Sequence, residues 1–209
     1  MTVPRPTTPL LSREQIAGAA LTLVDEAGTF TLPSLAKVLG VSASSIYHHF
    51  PGGREAIIEA IRGLLAGEVL VVDAGRTDWR QAAADWAQDY RASFALHPKV
   101  VPLLTAQTVT DPRTLAGYEG LARVLRDAGF GAENLLHAVT ILDCFILGSA
   151  LDAGAPIDVW AASPDPESAL GAAIRVSRAR AGDRSARSFE IGLRILLAGL
   201  ASLVEGSAK

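Results

Sequence analysis

Residues 31–50 constrain the chain more than any other stretch, because they carry two helix starts on either side of one forced turn. Thr31 is a good N-cap, and Pro33 falls in the first turn, where its missing N–H costs little. Gly40 ends this short helix, Ser42 caps a second from Ala43 to about Phe50, and Pro51-Gly52-Gly53 breaks the chain. Two short helices around a single glycine form a helix-turn-helix. Close crossing needs a small residue in the second turn of the first helix, which is Ala36. The turn needs a residue that tolerates positive φ, and Gly40 stands four positions on. The second helix needs an aliphatic plug, and Ile46 lies six beyond the glycine, with Leu35, Leu39 and Val41 completing the apolar contacts. Taken singly these are ordinary core residues, so their joint spacing carries the inference.

The second helix carries Ala43, Ser44, Ser45, Tyr47, His48 and His49 on its other faces. Small residues at its start allow close approach to base edges or thymine methyls, and Tyr47 and the histidines can reach phosphates or bases. The helix starts at Thr31 and near Gly53 offer free backbone N–H groups to phosphate. Adjacent histidines point about 100° apart on a helix and have no His or Cys at i+4, so neither a metal nor a cofactor is expected. Between Ser12 and Ala60 the basic residues Arg13, Lys37 and Arg54 face five acidic ones, although Arg5 adds a positive charge in the preceding arm. Phosphate neutralisation usually dominates DNA affinity, so this balance predicts few ionic contacts and a shallow salt dependence.

The rest of the chain reads as helix almost throughout. No sustained period-2 alternation appears. Ser12-Arg13-Glu14-Gln15 is a capping box, and Ile16, Ala20, Leu23 and Val24 follow at helical spacing up to Gly28. A helix starts near Arg54 and continues past Leu70. Asp78, with Gln81 three residues on, opens another, and Asp111-Pro112 and Asp165-Pro166 each read as an N-cap followed by proline. About ten helices result. At 49% apolar residues the chain can offset its folding entropy, and one cysteine forms no internal bridge. The longest uncharged apolar run, Ile195–Val204, is far short of the roughly 18 residues a membrane span needs, so no membrane partner and a cytoplasmic location are expected.

Over Ser12 to about Ile61 the chain resembles the TetR family of bacterial repressors. The resemblance rests on Glu26-Ala27-Gly28, Leu35-Ala36, Leu39-Gly40-Val41-Ser42 and Ile46-Tyr47-His48-His49-Phe50 followed by a Pro-Gly turn. It implies an all-α protein with a three-helix DNA-binding domain and a C-terminal helical domain for ligand binding and dimerisation. Residues 1–53 would form the arm and DNA-binding domain (motif 31–50), and residues 54–209 the C-terminal domain, its first helix being the connector. The family's base-contacting positions fall on Ala43, Ser44, Ser45 and His48, and its phosphate contacts on Tyr47, His49 and the start of the next helix. Thr31, Lys37, Ser42 and Arg54 complete the expected DNA-contacting set. Two departures stand out: Pro33 where the family often has a basic residue, and Gly53 where it often has lysine, with Arg54 next. The resemblance also implies a repressor released from a palindromic operator by a small, largely apolar ligand. Trp86, Tyr90, Gln107, His137 and Asp143 are the polar and aromatic candidates for its pocket.

Two helices, around Leu135–Leu147 and Ser188–Val204, are apolar nearly all round and need burial on more than one side. One face of each can serve the subunit's own core, and the other a second copy. Leu142, Phe145, Gly192, Leu196, Gly199 and Leu200 are the expected homodimer contacts, with the glycines permitting close approach. Two recognition helices roughly 34–36 Å apart would then read one palindrome. His137 and Cys144, two turns apart, read as buried core residues, and Asp143, isolated among apolar neighbours, needs a partner. No catalytic motif is present: no Gly-x-Ser-x-Gly, GxGxxG, Walker loop, His-Glu-x-x-His or Cys pair. An all-α enzyme and a helical dimer that binds protein without DNA are the rival readings, the latter supported by the acidic N-terminal balance.

Overall fold

The computed structural model describes residues 11–66, 78–156, 158–160, 165, 167–179 and 183–205. These hold ten α-helices, one 3₁₀ turn and no strand. The arm with Arg5, the expected continuation of a helix past Leu70, and Pro166 lie outside the described residues. The chain divides into two compact units, one from residues 1–70 and 99–118, the other from 71–98 and 119–209.

The first unit contains α1 (Arg13–Ala27), α2 (Leu32–Leu39), α3 (Ala43–His49), α4 (Gly53–Ala66) and the short α6 (Val101–Thr105). The caps form as their residue types dictate. Ser12 and Gln15 exchange side-chain and backbone bonds of 2.9 and 3.1 Å. Thr31 does the same with Ser34, a reciprocal box for which the sequence had suggested only the threonine. Gly40 takes φ 65°, the left-handed conformation the turn requires. Ile16, Ala20 and Val24 of α1 meet Leu35, Ile46, Phe50, Ile57, Ile58 and Ile61 in a core from which solvent is excluded. Burying a side chain such as Ile46 contributes about 1.5–3 kcal/mol. Because α4 packs along α1, residues 53–66 group with the N-terminal helices, and the boundary expected at residue 53 falls inside this unit.

A polar clamp also holds α4. The Glu59 carboxylate accepts from the Thr110 and Asp111 amides at 2.5 and 2.6 Å and pairs with Arg62 Nε at 2.9 Å. Arg62 Nη2 donates to the Leu104 carbonyl at 2.6 Å. Burial alone would raise the Glu59 carboxyl, but the two amides and the guanidinium outweigh it and hold it below its ordinary 4.5. Lys99 donates to the Asp25 and Glu26 carbonyls at the end of α1, at 2.7 and 2.9 Å.

The chain passes from one unit to the other within α7 (Pro112–Asp127), whose start is capped by the Asp111 carboxylate. The second unit contains α5 (Trp79–Ala95), α8 (Ala132–Ala153), α9 (Ala169–Ala179) and α10 (Arg184–Glu205). Asp78 caps α5 through the Arg80 amide, while Gln81 turns to Asp85 rather than back to the cap. The start of α9 is Ser168, whose Oγ accepts from the Gly171 amide, because Asp165 instead caps a preceding turn. α5, α8 and α10 pack together. Trp86, Tyr90 and Phe94 stack edge-to-face along α5, with centroids 5.2 and 4.8 Å apart. A Cβ on Gly192 would fall 2.6 Å from Phe145 Cζ, so this glycine serves the α8–α10 crossing within one chain.

α8 corrects one sequence-based expectation. His137 and Cys144 are exposed, not core residues, because the buried stripe is Ala138, Leu142, Ile146 and Ala150 and these two fall off it. By length and composition alone α8 is also long and apolar enough to cross a membrane, since a single carboxylate, Asp143, is all that divides its run. Here one side of it lies against α5 and α10.

Candidate nucleic-acid interface

α3 has one buried residue, Ile46, which anchors it in the core of the first unit. Ala43, Ser44, Tyr47 and His48 are exposed, and Ser45 and His49 are half-buried. The Ser42 hydroxyl caps the helix through the Ser45 amide at 3.1 Å and lies 2.9 Å from the Ser45 hydroxyl. Ser44 is therefore the serine whose side chain stands clear of the helix start. His48 and His49 meet edge-on with centroids 5.6 Å apart.

Tyr47 is 50% exposed. It rests against the next turn, where a Cβ on Gly53 would lie 3.5 Å from Tyr47 Cε1. Gly53 also takes φ 63°, so a lysine at this position would be strained by the left-handed backbone, although its Cβ would make only ordinary contact with the tyrosine ring. That accounts physically for the departure noted at this position.

The cations divide sharply. Arg54, expected at a phosphate, donates from Nε to the Phe30 carbonyl at 3.3 Å and from Nη2 to Thr29 Oγ1 at 3.2 Å. Its guanidinium lies over the Phe30 ring. Arg13 donates to the His49 carbonyl and stacks on Phe50, 3.9 Å from the ring centroid. Lys37 is exposed on α2 with no partner among the described residues. Thr31 is exposed too, its hydroxyl engaged by the Ser34 amide at 3.2 Å. The role of Arg13 had no local signal in the sequence, because its contact lies thirty-six positions away.

The pocket candidates are divided between the two units. Trp86 and Tyr90 are buried in the α5 stack, Asp143 is half-buried on α8, His137 is exposed, and Gln107 belongs to the first unit. The second unit has an open groove of about 720 Å³ lined by Asp152, Trp160, Ile174, Arg178 and Arg184, none of which had been expected there. Two ion pairs cross its wall, Arg178–Asp158 at 2.9 Å and Arg184–Asp152 at 2.8 Å. The Arg184 guanidinium holds the Asp152 carboxyl below its usual value.

Of the expected dimer contacts, Leu142 and Leu200 are buried in the chain's own core. Phe145 is half-buried and stacks on Phe189 at 5.4 Å. Leu196 is half-buried, and Gly199 is exposed with open space beyond its Cα. Sequence reading missed the large apolar residues that stay exposed: Leu136, Ile141 and Leu151 on α8, and Ile191 and Ile195 on α10. His137, Ile141, Cys144, Gly148 and Leu151 repeat every three or four residues along α8, with Leu136 beside His137, and Ile191 and Ile195 stand four apart on α10, which defines one outward face on each helix.

Residues 73–204 match the family described as Tetracyclin repressor-like, C-terminal domain. An HTH-type transcriptional regulator from Saccharopolyspora erythraea is 29% identical over 146 residues, covering 68% of this chain and 61% of that relative. The solved structure of a possible TetR family transcriptional regulator from Streptomyces coelicolor A3(2) is 28% identical and superposes with a TM-score of 0.76, covering 92% of this chain and 100% of the other. The S. coelicolor protein ActR in complex with actinorhodin shares the fold with a TM-score of 0.77 at 21% identity, covering 96% and 100%.

Proposed function

Since the chain belongs to the TetR family of transcriptional regulators, we propose that it is a homodimeric repressor that binds a palindromic operator through α3 and is released by a small, largely apolar ligand. The observation that carries this is the division of α3: Ile46 fixes the helix from within, while Ala43, Ser44, Tyr47 and His48 are exposed. Small side chains at the start of such a helix can meet base edges, and Tyr47 and His49 reach the backbone. Lys37 supplies an exposed cation without a partner among the described residues. Ser42, Ser45 and Thr31 work as caps that aim α2 and α3.

The exposed faces of α8 and α10 supply the dimer contact. Ile141, Leu151, Ile191 and Ile195 would be removed from water by a second copy, and Gly199 would let the helices approach closely. The ligand would lie among the C-terminal helices, with Trp86 and Tyr90 as apolar wall and Asp143 as polar end. Structural relatives hold actinorhodin and, in a TetR variant from Acinetobacter baumannii AYE, minocycline. A ligand that binds one conformer better lowers operator affinity by that difference. The relatives are regulators rather than enzymes, which speaks against a catalytic role, and such a protein acts in the cytoplasm.

The test is selection of duplexes from a random-sequence library by the wild-type chain at low salt. Enrichment of a palindrome, bound by a species of dimeric mass in light scattering, is the expected result. Recovery of no preferred duplex would overturn the reading in favour of a partner-binding helical dimer.

A further inference from the structure

We propose that Arg13 and Arg54 are positioning residues that lock the two ends of the α2–α3 segment, rather than contacts to DNA phosphates. The inference rests on the DNA-binding reading above.

Both arginines use the same chemistry. At one end, the α1 residue Arg13 donates to the carbonyl of His49, the last residue of α3, and lies 3.9 Å from the centroid of the Phe50 ring. At the other, the α4 residue Arg54 donates to the Phe30 carbonyl at 3.3 Å, one residue before the Thr31 cap, and lies 5.2 Å from the Phe30 ring centroid. Both rings are buried, at 0% and 3% exposure. Each is therefore a fixed platform. The final carbonyls of a helix have no intrahelical partner and carry the negative end of its dipole, so a cation at His49 satisfies both needs. A planar guanidinium can stack on a ring and donate in its own plane at once, which an ammonium cannot. Between these two locks lie every α2 and α3 residue assigned to DNA contact. Two of the three cations between Ser12 and Ala60 are thus held by the protein's own carbonyls and rings, Arg54 half-buried and Arg13 exposed, and Lys37 alone of the three has no partner among the described residues.

Salt separates the two roles. Removing a phosphate contact lowers the slope of log affinity against log salt by about one, equally on all sequences. Removing a positioning contact leaves the slope and lowers the ratio of specific to random affinity. The probes are the duplex enriched by the wild-type chain and a random-sequence duplex of equal length. Lys37→Gln is expected to reduce the slope by about one and keep the ratio. Arg13→Gln and Arg54→Gln are expected to keep the slope and reduce the ratio about tenfold, the scale of one lost charge-assisted hydrogen bond. Arg13→Lys, which keeps a donor for the His49 carbonyl, should recover part of that loss. Helicity and Tm establish that each variant is folded. If Arg13→Gln does not fold, Arg13→Lys and Arg54→Gln decide the matter by the same two readouts. A slope reduced by about one, or a ratio and slope both unchanged, in the arginine variants would overturn the proposal. Failure of the wild-type chain to enrich any duplex would instead remove the DNA-binding reading on which it stands.

Discussion

In the segment from Thr31 to Phe50, buried and exposed residues separate by type. Leu35, Ile46 and Phe50 are fully enclosed, while Lys37, Ser42, Ser44, Tyr47 and His48 are exposed, with Val38 the exception as an exposed large apolar residue. In α8 and α10 they do not separate. Leu142, Ile146, Leu193 and Leu197 are enclosed, yet Leu136, Ile141, Ile191 and Ile195 stand in water, the last 65% exposed. The first region leaves only Val38 among its large aliphatic side chains exposed and otherwise presents mostly polar groups. The second carries more apolar surface than its own chain can cover. The same amphipathic rule thus gives nearly complete burial in one place and incomplete burial in the other, and the incomplete face is the one proposed to meet a second copy.

The largest effect that would break this contrast is at the anchor of α3. Ile46→Ala should cost about 2–5 kcal/mol, because the cavity left in a packed core collapses only partly. The midpoint of denaturant unfolding measures it, and a loss under 1 kcal/mol would mean that α3 is less firmly seated than its 0% exposure implies. Next comes the Glu59 clamp, with Glu59→Gln expected to cost about 2–3 kcal/mol as charge-assisted bonds to Thr110, Asp111 and Arg62 become neutral ones. The sign of its pH dependence follows from the direction of its shift. Its folded carboxyl is held below 4.5, so its stabilisation is present above that pH and is lost as pH falls through the lower folded value. Glu59→Gln should flatten the acid limb of the stability profile, and an unaltered limb would exclude the clamp as its source.

A smaller effect sharpens the other side of the comparison. Ile195→Glu should leave the single chain's stability within about 0.5 kcal/mol, as surface changes do, while weakening self-association by about 2 kcal/mol. Light scattering across a dilution series reads the second quantity. Leu197, although on the same helix, is unsuitable for this purpose: it is buried, so a charge there would damage the chain itself.

How far the sequence could be read follows the same divide. Caps, the Gly40 turn and the burial of Ala36 and Ile46 were legible because each depends on residues within about ten positions of one another. The exposure of His137 and Cys144 was not, since an all-round apolar helix does not say which stripe its own chain will cover. Nor was the engagement of Arg13 and Arg54, whose partners lie thirty-six and twenty-four positions away. The α5–α8 surroundings of the pocket candidates, and the 720 Å³ groove near Trp160, likewise depend on long-range packing that no periodicity encodes.

The smallest effect distinguishes two neighbouring serines. Sequence alone places Ser44 and Ser45 together at the start of the recognition helix, with equal claims on the bases. In the fold they differ, because the Ser45 hydroxyl sits 2.9 Å from Ser42 Oγ and Ser44 is exposed without such a contact. A hydroxyl that already has a neighbour gains less from a base edge than one that has only water to lose. Ser44→Ala should therefore alter the preferred duplex sequence, at a cost of about 1 kcal/mol on the wild-type site and little on random DNA. Ser45→Ala should change preference less, and should act through the cap by about 0.5 kcal/mol of stability. Repeating the duplex selection with each variant reads the difference. If Ser45→Ala shifts the selected sequence and Ser44→Ala does not, the helix meets the groove by a different face from the one its exposure describes.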